Sequence, residues 1–117
     1  MWWVPMGIKV YLAVEAVDMR KSVNGLSLYA ADILNQDPLS GHLFVFSNIR
    51  RTVIKILYWD RSGFCLWYKR LEKSRFRWPQ GGGENGLEVD GEDLQWLLSG
   101  LDWPRKAGHE RLLYASV

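Results

Sequence analysis

The sequence predicts an α+β domain, an antiparallel sheet of four to five strands with two helices packed against it. Three observations lead there. Residues 42–79 hold consecutive short runs rich in Val, Ile, Phe, Tyr and Trp, separated by polar breaks of hairpin length. A stretch on each side of them carries apolar residues at helical spacing. The resulting order is strand, helix, several strands, helix, which segregates the strands and favours antiparallel pairing.

The central segment fixes the plan. His42–Phe46 is a short apolar run, and Ser47–Arg51 is the polar break after it. Thr52–Trp59 is the next strand, and Asp60-Arg61-Ser62-Gly63 is a turn, with Asp suited to its first position and Gly to a left-handed last one. Phe64–Leu71 returns, and Phe76–Trp78 is expected to begin a further strand that Pro79 stops. Alternation places Ile54, Ile56 and Tyr58 on one face and Val53, Lys55, Leu57 and Trp59 on the other. Both faces are apolar toward the turn, so the hairpin is expected to be covered on both sides.

The flanks supply the rest. Met1–Gly7 reads as a loose start, and Ile8–Val14 as a strand able to join the sheet. Ser22 is positioned as an N-cap. Leu26, Tyr29, Ala30, Ile33 and Leu34 then form one helical face, ended by Asn35 and the Asp37-Pro38 pair. Gln80–Gly86 is a glycine-rich loop and Leu87–Val89 a short strand. Asp90 caps a second helix with Glu92 and Asp93 at its positive end, a stripe of Leu94, Leu97, Leu98 and Leu101, and Gly100 as the stop. The expected ordered core is 8–103, with 104–117 a tail of the same single domain.

Composition limits the function classes. An apolar share of 48% and a charged share of 24% suit a globular chain. No run approaches the roughly 18 to 20 apolar residues of a membrane span. Cys65 is the single cysteine, which excludes an internal disulfide and favours a reducing compartment; the cytoplasm is expected, with Cys65 a small buried residue. His42 and His109 lack partners at metal spacing, Gly81-Gly82-Gly83 lacks the residues of a phosphate loop, and there is no nucleophile elbow. Asp18, Asp60 and Glu92 suit turns and helix flanks better than a metal triad. No enzyme, metal or cofactor is expected.

Charge is the informative feature. Residues 50–79 carry nine basic side chains against Asp60 and Glu72, whereas residues 80–117 carry three basic and seven acidic ones. A basic hairpin interleaved with Trp59, Trp67, Tyr68 and Trp78 suggests a nucleic-acid partner; a solvated face paired with the acidic tail is the structural alternative. Seven Trp also suit a protein-contact surface.

Several longer motifs then combine. Asp18-Met19-Arg20-Lys21 with Gly25-Leu26, Asp37–Phe46, Ile54–Asp60, Lys69-Arg70-Leu71-Glu72 and Arg75–Pro79 closely resemble the accessory protein TnpB (second open reading frame) of bacterial insertion sequences of the type numbered sixty-six. The likeness runs from Ile8 to Trp103. It implies a small protein encoded beside a separate, larger transposase, assisting transposition without performing strand transfer, and it brings no catalytic residues with it. Two departures stand out: Ser22-Val23-Asn24 replaces a Gly-Phe-Asp-like run, and Asn48–Arg51 replaces a more arginine-rich turn. The expected nucleic-acid contacts are Arg20, Lys21, Arg50, Arg51, Lys55, Lys69, Arg70, Lys73, Arg75 and Arg77, with transposon-end DNA as partner. The alternative is an adaptor docking on the transposase, and either reading admits a homodimer.

Overall fold

The computed structural model describes residues 4–80 and 86–100. Within them the chain forms β1 (Val10–Leu12), α1 (Val23–Asp32), β2 (Leu43–Ser47), β3 (Val53–Asp60), β4 (Gly63–Arg70), β5 (Leu87–Val89) and α2 (Gly91–Ser99). The strands make one five-stranded sheet in the order β4-β3-β2-β1-β5. The expected α+β class, the two helices and the central hairpin are all present.

Pairing differs from expectation in one place. β1 runs parallel to β2, with Val10 opposite Leu43 and Leu12 opposite Val45, while every other pair is antiparallel. The cause is the connection: α1 lies between β1 and β2 and carries the chain back across the sheet, as parallel neighbours require. α1 then covers one face and α2 the other, giving two cores. Leu26, Ala30 and Leu34 pack on Phe44, Phe46 and Leu57. Leu94, Leu97 and Leu98 pack on Val10, Val45, Ile54 and Ile56. The alternating faces of β3 therefore feed different cores, which is why both of them are apolar.

The helix ends follow local chemistry to different degrees. The Asp90 carboxylate accepts from the Asp93 backbone N–H at 2.8 Å, and Gly100 closes α2 at φ 79°. Ser22 occupies the N-cap position of α1, but its side chain makes no capping bond. α1 stops at Asp32, so Ile33 falls off the expected apolar face and is 45% exposed. Asn35 takes the left-handed conformation after it.

Three further expectations are revised. The first strand is only Val10–Leu12, because the chain beyond it turns to follow the end of β2; the Val17 N–H donates to the Ser47 carbonyl at 2.9 Å. Phe76–Trp78 is not a strand. Phe76 and Trp78 are nevertheless buried in the α2-side core, while the Phe76 N–H and the Trp78 indole N–H bond the Arg51 and Ala13 carbonyls instead of a ladder. In the hairpin turn the positive φ falls on Arg61 (48°), not on Gly63, because the loop is two residues long and Gly63 already pairs with Asp60. Cys65 is half-buried in β4. The His42 ring Nδ1 accepts the Lys9 N–H at 2.9 Å, which fixes the start of β2. Leu101, His109, the 81–85 stretch of the glycine-rich loop, residues 1–3 and the 104–117 tail lie outside the described residues.

Gly86 enters β5 at φ 87°, and a Cβ there would sit 2.7 Å from the Leu12 carbonyl oxygen. Strain and clash then add. Gly86→Ala is expected to destabilise the domain by about 1–3 kcal/mol, read as a lower chemical-denaturation midpoint.

Candidate nucleic-acid interface

The end of the sheet where β2 stops, β3 begins and β4 finishes gathers three irregular segments. One is the turn at 48–52. Its Asn48 side chain accepts the Thr52 and Val53 N–H groups through Oδ1 at 2.9 and 3.0 Å and donates through Nδ2 to the Thr52 hydroxyl at 3.0 Å. A second is the strap at 71–78, held where the Leu71 N–H meets the Thr52 carbonyl at 2.8 Å and the Phe76 N–H meets the Arg51 carbonyl at 2.7 Å. The third is the loop at 13–22, joined to the others below. Asn48 was not nominated from the sequence; its signal was an Asn opening a turn, a position where its side chain substitutes for backbone partners.

The ten nominated cations lie at or beside this end, and all but Arg77 fall into three groups. Arg51, Lys55 and Lys69 are built into the fold. Arg51 has a left-handed backbone (φ 59°), donates through Nη2 to the Val14 carbonyl at 3.1 Å, and lies 5.1 Å from the centre of the Trp78 ring. Burial pulls its pKa down, opposed by the nearby Glu15 carboxylate, and its Nη1 is buried without a partner among the described residues. The Lys55 ammonium donates to the Met19 and Lys21 carbonyls at 2.7 and 2.9 Å, pinning the loop before α1. The Lys69 ammonium donates to the Leu98 carbonyl at 2.7 Å, where the negative end of α2 arrives.

Arg20 and Arg70 form a second group, in exposed ion pairs with Asp18 (2.7 Å) and Glu72 (3.1 Å). The hydrogen bonds from the Arg20 side chain and backbone lower the Asp18 pKa to about 2, and Asp18 in turn raises that of Arg20. Exposed pairs of this kind contribute little to stability and exchange readily for other anions. The third group is Lys21, Arg50, Lys73 and Arg75, whose side chains are exposed and make no hydrogen bond or ion pair among the described residues. Arg77 is exposed too and has an interaction of its own.

Positive charge is in excess at this end, although Glu15, Asp18 and Glu72 lie there too. α2 begins at the opposite end, so Asp90 and Glu92 sit there with the Asp60 turn, which also holds Arg61. Asp18 and Asp60 lie at different ends, and no group of three His, Cys, Asp or Glu side chains among the described residues is placed to hold a metal ion. The interleaved aromatics divide as well. Trp78 is buried, with its indole N–H on the Ala13 carbonyl at 3.1 Å, Trp59 packs edge-on to Phe64, and Tyr68 is 53% exposed on β4.

Residues 8–108 match the family model described as IS66 Orf2 like protein. The chain belongs to the IS66 Orf2-like family. Two relatives come from Sinorhizobium fredii (strain NBRC 101917 / NGR234). Uncharacterized protein y4hO is 36% identical over 96 residues, covering 82% of this chain and 83% of the relative. Uncharacterized protein y4jC is 35% identical over 99 residues, covering 85% and 84%. No solved structure matches the chain. The family is one of transposon-associated accessory proteins, which agrees with the resemblance carried by the motifs. Among the described residues no helix is long and apolar enough to cross a membrane.

Two outcomes follow for this family member. Lys55→Ala removes a charged donor to two carbonyls and is expected to cost about 1–2 kcal/mol in urea unfolding, whereas Lys73→Ala leaves the midpoint unchanged. Carboxyl resonances followed by NMR should show Asp18 titrating near 2 and, in Arg20→Ala, returning toward its ordinary 3.8. Because the folded pKa is the lowered one, the favourable Asp18–Arg20 interaction is complete above the unfolded carboxylate range and is lost as pH falls through about 2.

Proposed function

We propose that this IS66 Orf2-like protein is a non-catalytic accessory factor that assists transposition by binding transposon-end DNA, in the cytoplasm, at the basic end of its sheet. The observation carrying this reading is the division of labour among the cations. A solvated structural face would leave its charges in balanced pairs. Among the described residues the side chains of Lys21, Arg50, Lys73 and Arg75 are exposed and make no hydrogen bond or ion pair, beside Arg20 and Arg70, whose carboxylate partners are themselves exposed.

The roles differ from a uniform basic hairpin. Lys21, Arg50, Lys73 and Arg75 make the phosphate contacts, with Arg77 adjacent. Arg20 and Arg70 exchange Asp18 and Glu72 for phosphates on binding. Arg51 and Lys55 hold the three segments in register, Lys69 receives the end of α2, and all three act on DNA only through position. These are contacts to backbone, so they set affinity and orientation more than sequence choice.

Fluorescence anisotropy with a labelled transposon-end duplex across a salt series tests this. Affinity is expected to fall steeply with salt, by a log–log slope of about −0.9 for each phosphate contacted. Lys73→Ala/Arg75→Ala should flatten that slope by about 2 and weaken binding to transposon-end and scrambled duplexes alike. Unchanged binding in that variant, or no binding by the parent at low salt, would overturn the reading and favour an adaptor that docks on the transposase.

A further inference from the structure

The sheet has two edges, and they are unlike each other. β5 closes one with three residues, whereas β4 presents eight at the other. β4 is in unbroken register with β3 from Arg70 opposite Val53 to Gly63 opposite Asp60, without a bulge and without proline. From Gly63 to Tyr68 it carries no charge. Natural edge strands are normally shortened, bulged, charged or covered, because an open row of N–H and C=O groups accepts any compatible strand. Among the described residues β4 has only the charges of Lys69 and Arg70 at its last two positions as such a protection, and none from Gly63 to Tyr68.

The polar groups that face outward can be named. Leu71 and Thr52 form a hydrogen-bonded pair, and such pairs alternate along an antiparallel ladder. Residues 69, 67, 65 and 63 therefore bond to β3, and Phe64, Leu66, Tyr68 and Arg70 turn their backbone N–H and C=O away from it.

We infer that β4 pairs antiparallel with β4 of a second copy of this chain, about a two-fold axis at Leu66, making one ten-stranded sheet across a homodimer. Two features select this occupant. The first is self-complementarity. Centred on Leu66, the five uncharged residues Phe64–Tyr68 pair only among themselves, with Phe64 opposite the second copy's Tyr68, an aromatic cross-strand pair. Tyr68 is then covered, which accounts for a large aromatic left 53% exposed on an edge. The second is charge. Antiparallel pairing sets Lys69 and Arg70 of one copy opposite Gly63 and Ser62 of the other, in a turn that holds both Asp60 and Arg61, and carries the two basic ends to opposite corners of the joint sheet. A parallel arrangement would press those basic ends together. The dimer stands independently of the DNA reading, because its contacts are the backbone and the uncharged run rather than the basic end.

Sedimentation equilibrium of the full chain decides it. Tyr68→Pro removes an outward N–H without touching the β3 ladder, and edge positions tolerate proline. Tyr68→Lys keeps that N–H and places a charge against the second copy's Phe64. The parent is expected to be a dimer at micromolar concentration. Both variants should keep the parent circular dichroism spectrum while the dimer dissociation constant rises at least tenfold. A parent that is monomeric throughout the concentration range overturns the inference and leaves the edge to another strand, from this chain or a different protein. A dimer that persists in both folded variants overturns it equally, since the contact then lies elsewhere.

Discussion

Arg51 is the constraint on which the basic end of this sheet depends. Its carbonyl accepts from Phe76, its guanidinium reaches the Val14 carbonyl, and its plane lies over Trp78, whose own indole bonds Ala13. Three segments distant in sequence are thereby tied at one point. The left-handed backbone at Arg51 (φ 59°) is the conformation the Asn48 turn imposes, and it is what aims the side chain inward. A guanidinium suits this place because it stays charged under desolvation and combines planar stacking with directed hydrogen bonds. The lowered pKa of Arg51 reflects the burial that this role entails.

From that knot the electrostatics follow. Lys55 and Lys69 each send their charge to backbone carbonyls on opposite faces of the sheet, one fastening the approach to α1 and the other receiving the end of α2. Basic residues in the same sequence segment are thus divided between structure and surface. On the proposed reading the surface set would serve the accessory role, because exposed cations gathered on loops around a rigid sheet end can meet phosphates without reorganising the core. The acidic start of α2 lies at the other end, so the described residues are polarised, which on the proposed reading would orient their approach to DNA.

Much of the fold was legible because it is local. The hairpin of β3 and β4 shows in its alternation and its two-residue turn, and α2 shows in Asp90, the Leu94, Leu97 and Leu98 stripe and Gly100. What was not legible is what depends on distant partners. The parallel pairing of β1 with β2 is a property of the α1 crossover, not of either strand. Phe76–Trp78 alternates like a strand but finds Arg51 and Ala13 in place of a neighbouring strand. The cations nominated from the sequence do gather in one region, since charge runs map onto strand ends. Yet no pattern separates Lys55 from Lys73; only the three-dimensional position of the Met19 and Lys21 carbonyls does so.

The proposed function requires that DNA meet this protein at one end of the sheet, on side chains the fold does not itself use. Titrating isotopically labelled full chain with a transposon-end duplex, and following backbone amide shifts by NMR, tests it most directly. The account predicts perturbations concentrated at Lys21, Arg50, Lys73 and Arg75, with the Asp60–Gly63 turn unmoved. Shifts centred on that turn or on the start of α2, or no shifts at all at low salt, would contradict it.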